Sequence, residues 1–221
     1  MNRSPWTRRL LVALPLALAL AAGACQPLRP PALSDVDYPG ALQHPATLAV
    51  EAVWQQQVTA TWRGPDGDRE RRFSAAVQRR GDTLTVLGLS PVGSVGFSVT
   101  QTPTGVDVVN NIPDQLVIPP RFILLDVQRA LYPWFDQPIE EGERAAARDG
   151  EQICETWRGG RLRERTFRRL DSAPPGVIRL TYEWDAAAHA PARVVLDNGW
   201  FGYRLAITTT SETLLETEER S

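Results

Sequence analysis

The sequence predicts a mainly β protein: a single curved antiparallel sheet of about ten strands, with two helices inserted mid-chain over its concave side. The prediction rests on three observations. Apolar and polar residues alternate over residues 48–62, which is typical of a long strand with one buried face. Several shorter alternating segments follow, separated by turn residues. Between residues 119 and 148 the period becomes helical, and alternation returns at residue 152.

The first residues form an export signal. Three arginines precede an apolar run over residues 10–22, which is shorter than the roughly 20 residues of a membrane-spanning helix. Small residues then lead to Cys25, in the sequence Ala22-Gly23-Ala24-Cys25. This resembles the lipobox of bacterial lipoproteins, which implies cleavage after residue 24 and acyl chains such as palmitate on Cys25. The alternative is that Cys25 is an incidental small apolar residue.

Four segments are expected along the chain. The signal peptide covers residues 1–24, and the lipidated cysteine with a proline-rich tether covers residues 25–46. The β domain covers residues 47–210, and a polar acidic tail that frays covers residues 211–221.

The first half of the domain reads as five strands joined by short hairpins. The long strand over residues 48–62 ends at a turn around Gly64 to Asp68. Further alternating segments cover residues 71–79, 83–89, 95–99 and 106–109.

Two helices are expected next. Pro119 and Pro120 can open the first, which Pro133 ends, and its apolar residues lie on more than one side. The second is predicted over residues 138–148, since acidic residues come early, arginines come late and Gly150 suits a C-terminal cap.

Alternation resumes in the second half of the domain. A strand over residues 152–158 and one over residues 162–170 are joined by Gly159-Gly160, a hairpin signal. Strands over residues 177–184, 193–196 and 203–209 complete the sheet.

Three blocks of the chain resemble a known family. They are residues 88–97, residues 122–134 and residues 198–205. Residues 84–93 are similar to a strand and Pro-x-Gly turn of the outer-membrane lipoprotein receptor LolB. The three blocks, in order, are closer to the bacterial lipoprotein family of domain of unknown function 3261. The resemblance implies a LolA/LolB-like unclosed barrel that holds acyl chains in an apolar hollow.

The composition excludes several functions. The net charge of −2 gives no electrostatic support for nucleic-acid binding. The chain has no lysine, two histidines and no nucleophile elbow, zinc motif or phosphate-binding loop, so we expect no enzyme, no cofactor and no metal site. Cys154 is interpreted as a buried structural thiol, with a reactive thiol as the alternative.

A ligand cavity is the main functional hypothesis. Three of the predicted lining residues lie on the same face of the long strand, and two lie on nearby strands. The remaining two lie on the side of the first helix that is outside its main apolar stripe. The residues are Trp54, Val58, Trp62, Phe73, Phe97, Phe122 and Leu125. The rival interpretation is a fully packed core.

Two further predictions concern contact with the membrane and the location of the protein. Trp200 and Phe201 are candidates for membrane contact, with packing beneath a hairpin as the alternative. Gln26, after the lipidated cysteine, favours the outer membrane, with the domain facing the periplasm. We expect a monomer that binds the bilayer through its acyl chains and carries an acyl chain, lipid or lipoprotein. The alternative is an assembly lipoprotein with a plugged barrel and a protein partner.

Overall fold

The structure, a computed structural model, describes residue 38 and residues 40–64, 66–90, 93–111, 119–171, 176–186 and 188–216. Cys25 and the predicted signal peptide lie outside the described residues. The strands are β1 (Ala52–Gly64), β2 (Gly67–Arg80), β3 (Thr83–Leu89), β4 (Val95–Thr102), β5 (Gly105–Asn110), β6 (Glu141–Arg148), β7 (Glu151–Arg158), β8 (Arg161–Arg169), β9 (Ile178–Glu183), β10 (Arg193–Asn198) and β11 (Tyr203–Leu214). A helix, α1 (Pro120–Leu131), separates β5 from β6.

All of these strands belong to one antiparallel sheet. Its order is β5-β4-β3-β2-β1-β11-β10-β9-β8-β7-β6, so two meanders meet where β1 pairs with β11. Strands β5 and β6 are the two ends of this order, and the sheet is not closed. The predicted single unclosed antiparallel sheet is confirmed, with eleven described strands where about ten were expected.

The sheet wraps around α1, because the helix packs against both halves of it. Leu124 belongs to a core cluster with residues of β1 to β4, and Phe122 and Leu125 belong to one with residues of β7 to β11. Strands β4 and β7 stand eight places apart in the sheet, which is about 38 Å if flat. A helix with its side chains is only about 10 Å across. The sheet therefore curls, and α1 covers its concave side.

The prediction of a second helix over residues 138–148 is wrong, because this segment is the edge strand β6. It pairs with β7 along its whole length, from Glu141 opposite Arg158 to Arg148 opposite Glu151. Asp149 and Gly150, with φ of 50° and 81°, form the turn between them. A two-residue turn with both φ values positive matches the twist of a hairpin, so this Asp-Gly pair starts a hairpin and caps no helix.

Both predicted boundaries of the β domain shift. Tyr38, Gln43 and Pro45 are buried, so the packed domain begins well before residue 47. At the other end, β11 continues to Leu214, into the segment predicted to be a frayed tail. Pairing with β1 extends to Ala52 opposite Leu214, which supplies the backbone hydrogen bonds that a free tail would lack.

One close approach explains part of the sequence block over residues 88–97. Gly88 of β3 lies opposite Phe97 of β4, and the Phe97 ring covers the glycine. A Cβ atom on residue 88 would lie 2.0 Å from Cε1 of Phe97. Glycine at 88 therefore lets an aromatic ring lie flat across the sheet.

In the described part of the chain, no helix has the length and apolarity needed to cross a membrane.

Candidate ligand pocket at the end of the helix

A pocket of about 210 Å³ lies where the C-terminal end of α1 meets the sheet. Four tryptophans from different elements line it: Trp54, Trp134, Trp157 and Trp184. Its other walls are Leu48, Ala130, Leu131, Tyr132, Pro133, Phe135, Asp136, Pro138, Arg144, Glu155, Leu162, Arg165, His189, Ala190 and Pro191. Large apolar walls with a few polar groups are typical of sites for small apolar ligands.

The end of α1 is fixed by side chains that bind its last carbonyl groups. The carbonyl of Gln128 accepts from Nε1 of Trp134 at 3.2 Å, and the carbonyl of Arg129 accepts from Arg165 and from the hydroxyl of Tyr182. The carbonyl of Gln128 also accepts from the backbone N–H of Tyr132 at 2.9 Å. Carbonyls in the last turn of a helix need partners beyond its regular hydrogen bonds, and a cation beside them is favourable. The sheet therefore holds the helix end that forms one wall of the pocket.

The polar side of the pocket is built around the buried carboxylate of Glu155. Arg165 donates to its Oε1 at 2.8 Å, and Arg144 and Trp157 donate to its Oε2 at 2.7 and 2.9 Å. Burial alone would raise the pKa of Glu155, but the Arg165 charge and these hydrogen bonds outweigh it and lower the pKa. Glu155 is therefore held ionised, with all three donors fixed around it.

A second buried charge cluster lies further along the same face of β7, around Glu151. Arg129, which is fully buried, donates to Glu151 at 2.9 Å and lies 3.6 Å from Asp126. Asp126 also accepts from the hydroxyls of Tyr38 and Tyr203. Burial raises the pKa of both Asp126 and Glu151, although the Arg129 charge opposes this shift. This cluster ties the helix to β7, to β11 and to the chain before β1.

Sequence reasoning missed both charge clusters. The sequence of α1 nevertheless indicated them. Because the helix carries apolar residues on more than one side, little solvent-exposed surface remains for its charged side chains. A helix of this kind is buried all round, so Asp126 and Arg129, three residues apart, had to be paired with each other and with the sheet.

The predicted cavity residues are divided between the two core clusters. Trp54 lines the pocket. Phe97 packs near Trp54 in the cluster of β1 to β4, whereas Phe122, Leu125 and Trp62 belong to the cluster of β7 to β11. Val58 is buried and Phe73 is half-buried. The side of α1 that was expected to line a cavity therefore packs against the second half of the sheet.

The two aromatic residues considered for membrane contact pack against the protein. Trp200 is 3% exposed and meets the Tyr38 ring edge-on, at 5.9 Å between centroids. Phe201 is half-buried and stacks on Phe122 at 5.4 Å. The alternative, packing beneath a hairpin, describes Trp200 in this structure. Cys154 is half-buried on β7, without a disulfide.

The sequence block over residues 198–205 is a structural corner. The side-chain oxygen of buried Asn198 accepts from the backbone N–H groups of Trp200 and Phe201, and its amide donates to the Tyr38 hydroxyl. Gly199 lies against Val177, whose carbonyl oxygen would be 2.7 Å from an added Cβ. This hairpin thus completes the aromatic cavity in which the Tyr38 ring sits.

A larger depression of about 570 Å³ lies elsewhere, and Glu143, Thr156, Arg158, Arg163 and Glu164 line it. It is open and polar, as expected of a charged sheet face in water. Within the described ranges, no group of three or more His, Cys, Asp or Glu side chains could hold a metal ion. The tryptophan-lined pocket is therefore the stronger candidate site.

Comparison with known proteins identifies the family. Residues 53–211 match the family described as Protein of unknown function (DUF3261). The chain belongs to this family. The resemblance found in the three sequence blocks is thus confirmed. The matched region contains every described strand, apart from the start of β1 and the end of β11.

Two solved structures are similar to this chain. A LolA superfamily protein from Nitrosomonas europaea is 11% identical and covers 80% of this chain and 95% of its own, with a TM-score of 0.44. A putative outer membrane lipoprotein-sorting protein domain from Vibrio parahaemolyticus is 8% identical and covers 76% and 87%, with a TM-score of 0.34. No curated protein matches the chain.

Proposed function

We propose that this DUF3261 protein is a lipoprotein, anchored through Cys25 to the outer membrane and facing the periplasm, that binds an acyl chain of a lipid or lipoprotein. The observation that carries the proposal is the pocket lined by Trp54, Trp134, Trp157 and Trp184. Its apolar walls suit methylene groups, each of which contributes about 0.8 kcal/mol when buried.

The pocket volume implies that α1 moves when cargo binds. At about 210 Å³ it is smaller than the roughly 300 Å³ at which small-molecule sites begin. Ala130 and Leu131 at the end of α1 form part of its wall, so a shift of this helix would enlarge it. In the closed state, the pocket holds only part of an acyl chain.

The first test asks whether the purified protein carries or binds acyl chains. Native extraction followed by mass spectrometry should recover acyl species, and a brominated fatty acid should quench the tryptophan fluorescence, since bromine quenches only at close range. A protein that purifies empty and whose fluorescence the probe leaves unchanged would contradict the proposal.

A pocket-filling variant locates the binding site. Ala190 lines the pocket and is 4% exposed, so Ala190→Phe places a ring inside it. We expect probe affinity to fall at least about tenfold, equivalent to about 1.4 kcal/mol. The matched control is Ala186→Phe, because residue 186 is exposed in the same loop and does not line the pocket. Equal affinity in both variants would place the acyl chain elsewhere.

A second candidate function is assembly with a protein partner, and the edge strand β5 favours it. All six residues of β5 are exposed, including Val106, Val108 and Val109. An exposed apolar edge can pair with an extended chain, whereas charged residues on the opposite edge, β6, discourage pairing. An empty protein that captures an extended peptide at β5 would support this function in place of acyl binding.

A further inference from the structure

The chain just before β1 lies along α1 as an extended strap, defined here as Tyr38 and residues 40–45. Tyr38, Gln43 and Pro45 are buried, although the surrounding sequence is rich in proline and carries no strand period. Among the described residues, the strap pairs with no strand of the sheet. Side chains, rather than a ladder of backbone hydrogen bonds, therefore hold it in place.

One stripe of α1 binds the backbone of the strap at three successive points. Arg121 donates to the carbonyls of Tyr38 and Gly40. Gln128 accepts from the N–H of Gln43 at 2.8 Å and donates to its carbonyl at 2.9 Å. The hydroxyl of Tyr132, just after the helix, donates to the carbonyl of Pro45 at 3.1 Å.

The spacing of these contacts shows that strap and helix run side by side in the same direction. From Arg121 to Gln128 an α-helix advances about 10 Å, and from Gly40 to Gln43 an extended chain also advances about 10 Å. From Gln128 to Tyr132 the helical rise is about 6 Å, and the extended rise from Gln43 to Pro45 is about 7 Å. Because the rises match, each polar side chain of the stripe meets a strap backbone group.

The N-terminal end of the strap is a plug. The Tyr38 ring lies 4.1 Å from the Phe122 ring and 4.4 Å from the Arg129 guanidinium, and its hydroxyl donates to Asp126. Gly40, with φ of 94°, then passes so close to Glu151 that a Cβ would lie 2.7 Å from Oε2. This end therefore fills a cavity shaped for one aromatic ring and one glycine.

The other end of the strap reaches the tryptophan-lined pocket. Tyr132, which binds the carbonyl of Pro45, also lines that pocket, and so does Leu48. Arg79 of β2 donates to the same carbonyl, so the helix end and the sheet are joined through the strap.

We propose that the strap is a displaceable latch: it holds α1 on the sheet, and its release frees α1 to open the pocket. The role in pocket opening rests on the proposed function, whereas the hold on α1 does not. The strap follows the tether that leads from Cys25, so tension on the tether acts first on Tyr38.

The test compares hydrogen–deuterium exchange in the full mature protein and in latch variants. Gly40→Ala disrupts the close approach to Glu151, and Arg121→Ala removes both hydrogen bonds at the start of the strap. The control is Gly67→Ala, since Gly67 also has a positive φ, of 115°, but nothing within 4 Å of an added Cβ. In both latch variants we expect the amides of α1 to exchange at least about tenfold faster, and in the control we expect no change.

The pattern of exchange decides the proposal. Faster exchange in α1 together with the strap supports the latch. Faster exchange in the strap alone, with α1 as protected as in the parent, would overturn it. Binding of the brominated fatty acid is measured separately on the parent, so its failure counts against the proposed function and leaves the exchange result intact. If the parent binds the probe, the latch variants should bind it faster.

Discussion

At the scale of single residues, the distinctive feature is that charge is buried beside the helix in two places. Arg129 is enclosed between Asp126 and Glu151, and Glu155 is enclosed by Arg165 and Arg144. A buried ion pair adds little net stability compared with apolar packing, but removing one partner leaves a charge stranded. These residues therefore favour the arrangement in which the helix is packed on the sheet.

Arg129→Leu should be strongly destabilising. It leaves Asp126 and Glu151 without their shared cation, and the expected loss is about 3–5 kcal/mol of unfolding free energy, measured by urea denaturation. Arg193→Leu is the control, since Arg193 and Glu183 form an exposed pair at 3.4 Å and its loss should cost less than about 1 kcal/mol. A small effect at Arg129 would show that the carboxyl groups are protonated at neutral pH.

Glu155→Gln should remove a pH-dependent part of the stability. The pKa of Glu155 is lowered from its ordinary 4.5 despite burial, through Arg165 and its hydrogen bonds. Its contribution is thus present above pH 4.5 and is lost as the pH falls through the lower folded-state pKa. The parent should exceed the variant in unfolding free energy at pH 7, and the difference should shrink towards pH 3. A difference that grows on acidification would contradict this, because it would mean a raised pKa.

At the scale of elements, the sequence predicted secondary structure correctly where its pattern suits one kind of element. It was wrong where the composition suits a helix and the following turn suits a hairpin. The alternation of β1 and the prolines around α1 have one interpretation each, and both elements are found. Residues 141–148 contain three consecutive alanines and a helix-like charge order, yet the Asp149-Gly150 turn and pairing with β7 make them a strand. The strap carries no periodic pattern at all, because its partners are side chains 34 or more residues away along the chain.

Gly88→Ala should test how β3 and β4 pack. The new Cβ meets the Phe97 ring, which must rotate away, and the expected cost is about 1–3 kcal/mol of unfolding free energy. Gly105→Ala on β5 is the matched control, because an added Cβ there meets nothing within 4 Å. In a Phe97→Ala background, Gly88→Ala should cost much less. An equal cost in both backgrounds would mean that the ring is not the cause.

At the scale of the whole molecule, the fold could be predicted but the site could not be located. Alternating strands around a helical insertion predicted one curved antiparallel sheet, and the family resemblance implied that it is unclosed. The cavity residues chosen from shared parity on β1 were divided between two core clusters, because parity gives the face of a strand and not the position of the helix on that face. The pocket combines residues of α1, β1, β6, β7, β8 and the loops, which no single periodic segment could reveal.

Cys25→Ala should release the protein from the membrane. The lipobox is the attachment expected from the sequence, so cell fractionation should move the variant from the membrane to the soluble periplasmic fraction. Cys154→Ala is the control, because it removes the other cysteine and should leave the protein in the membrane fraction. Retention of the Cys25 variant after a salt wash would contradict the lipoprotein assignment.

On the proposal that Cys25 anchors the domain to the bilayer, docking of the strap would also set the length of chain between them. If chain were free up to residue 46, about 70 Å of extended polypeptide could separate them. With Tyr38 bound in its cavity, only the chain from Cys25 to Tyr38 is available, or about 45 Å. On that proposal, the latched domain would stay within about 45 Å of its anchor, and release of the strap would extend this reach to about 70 Å.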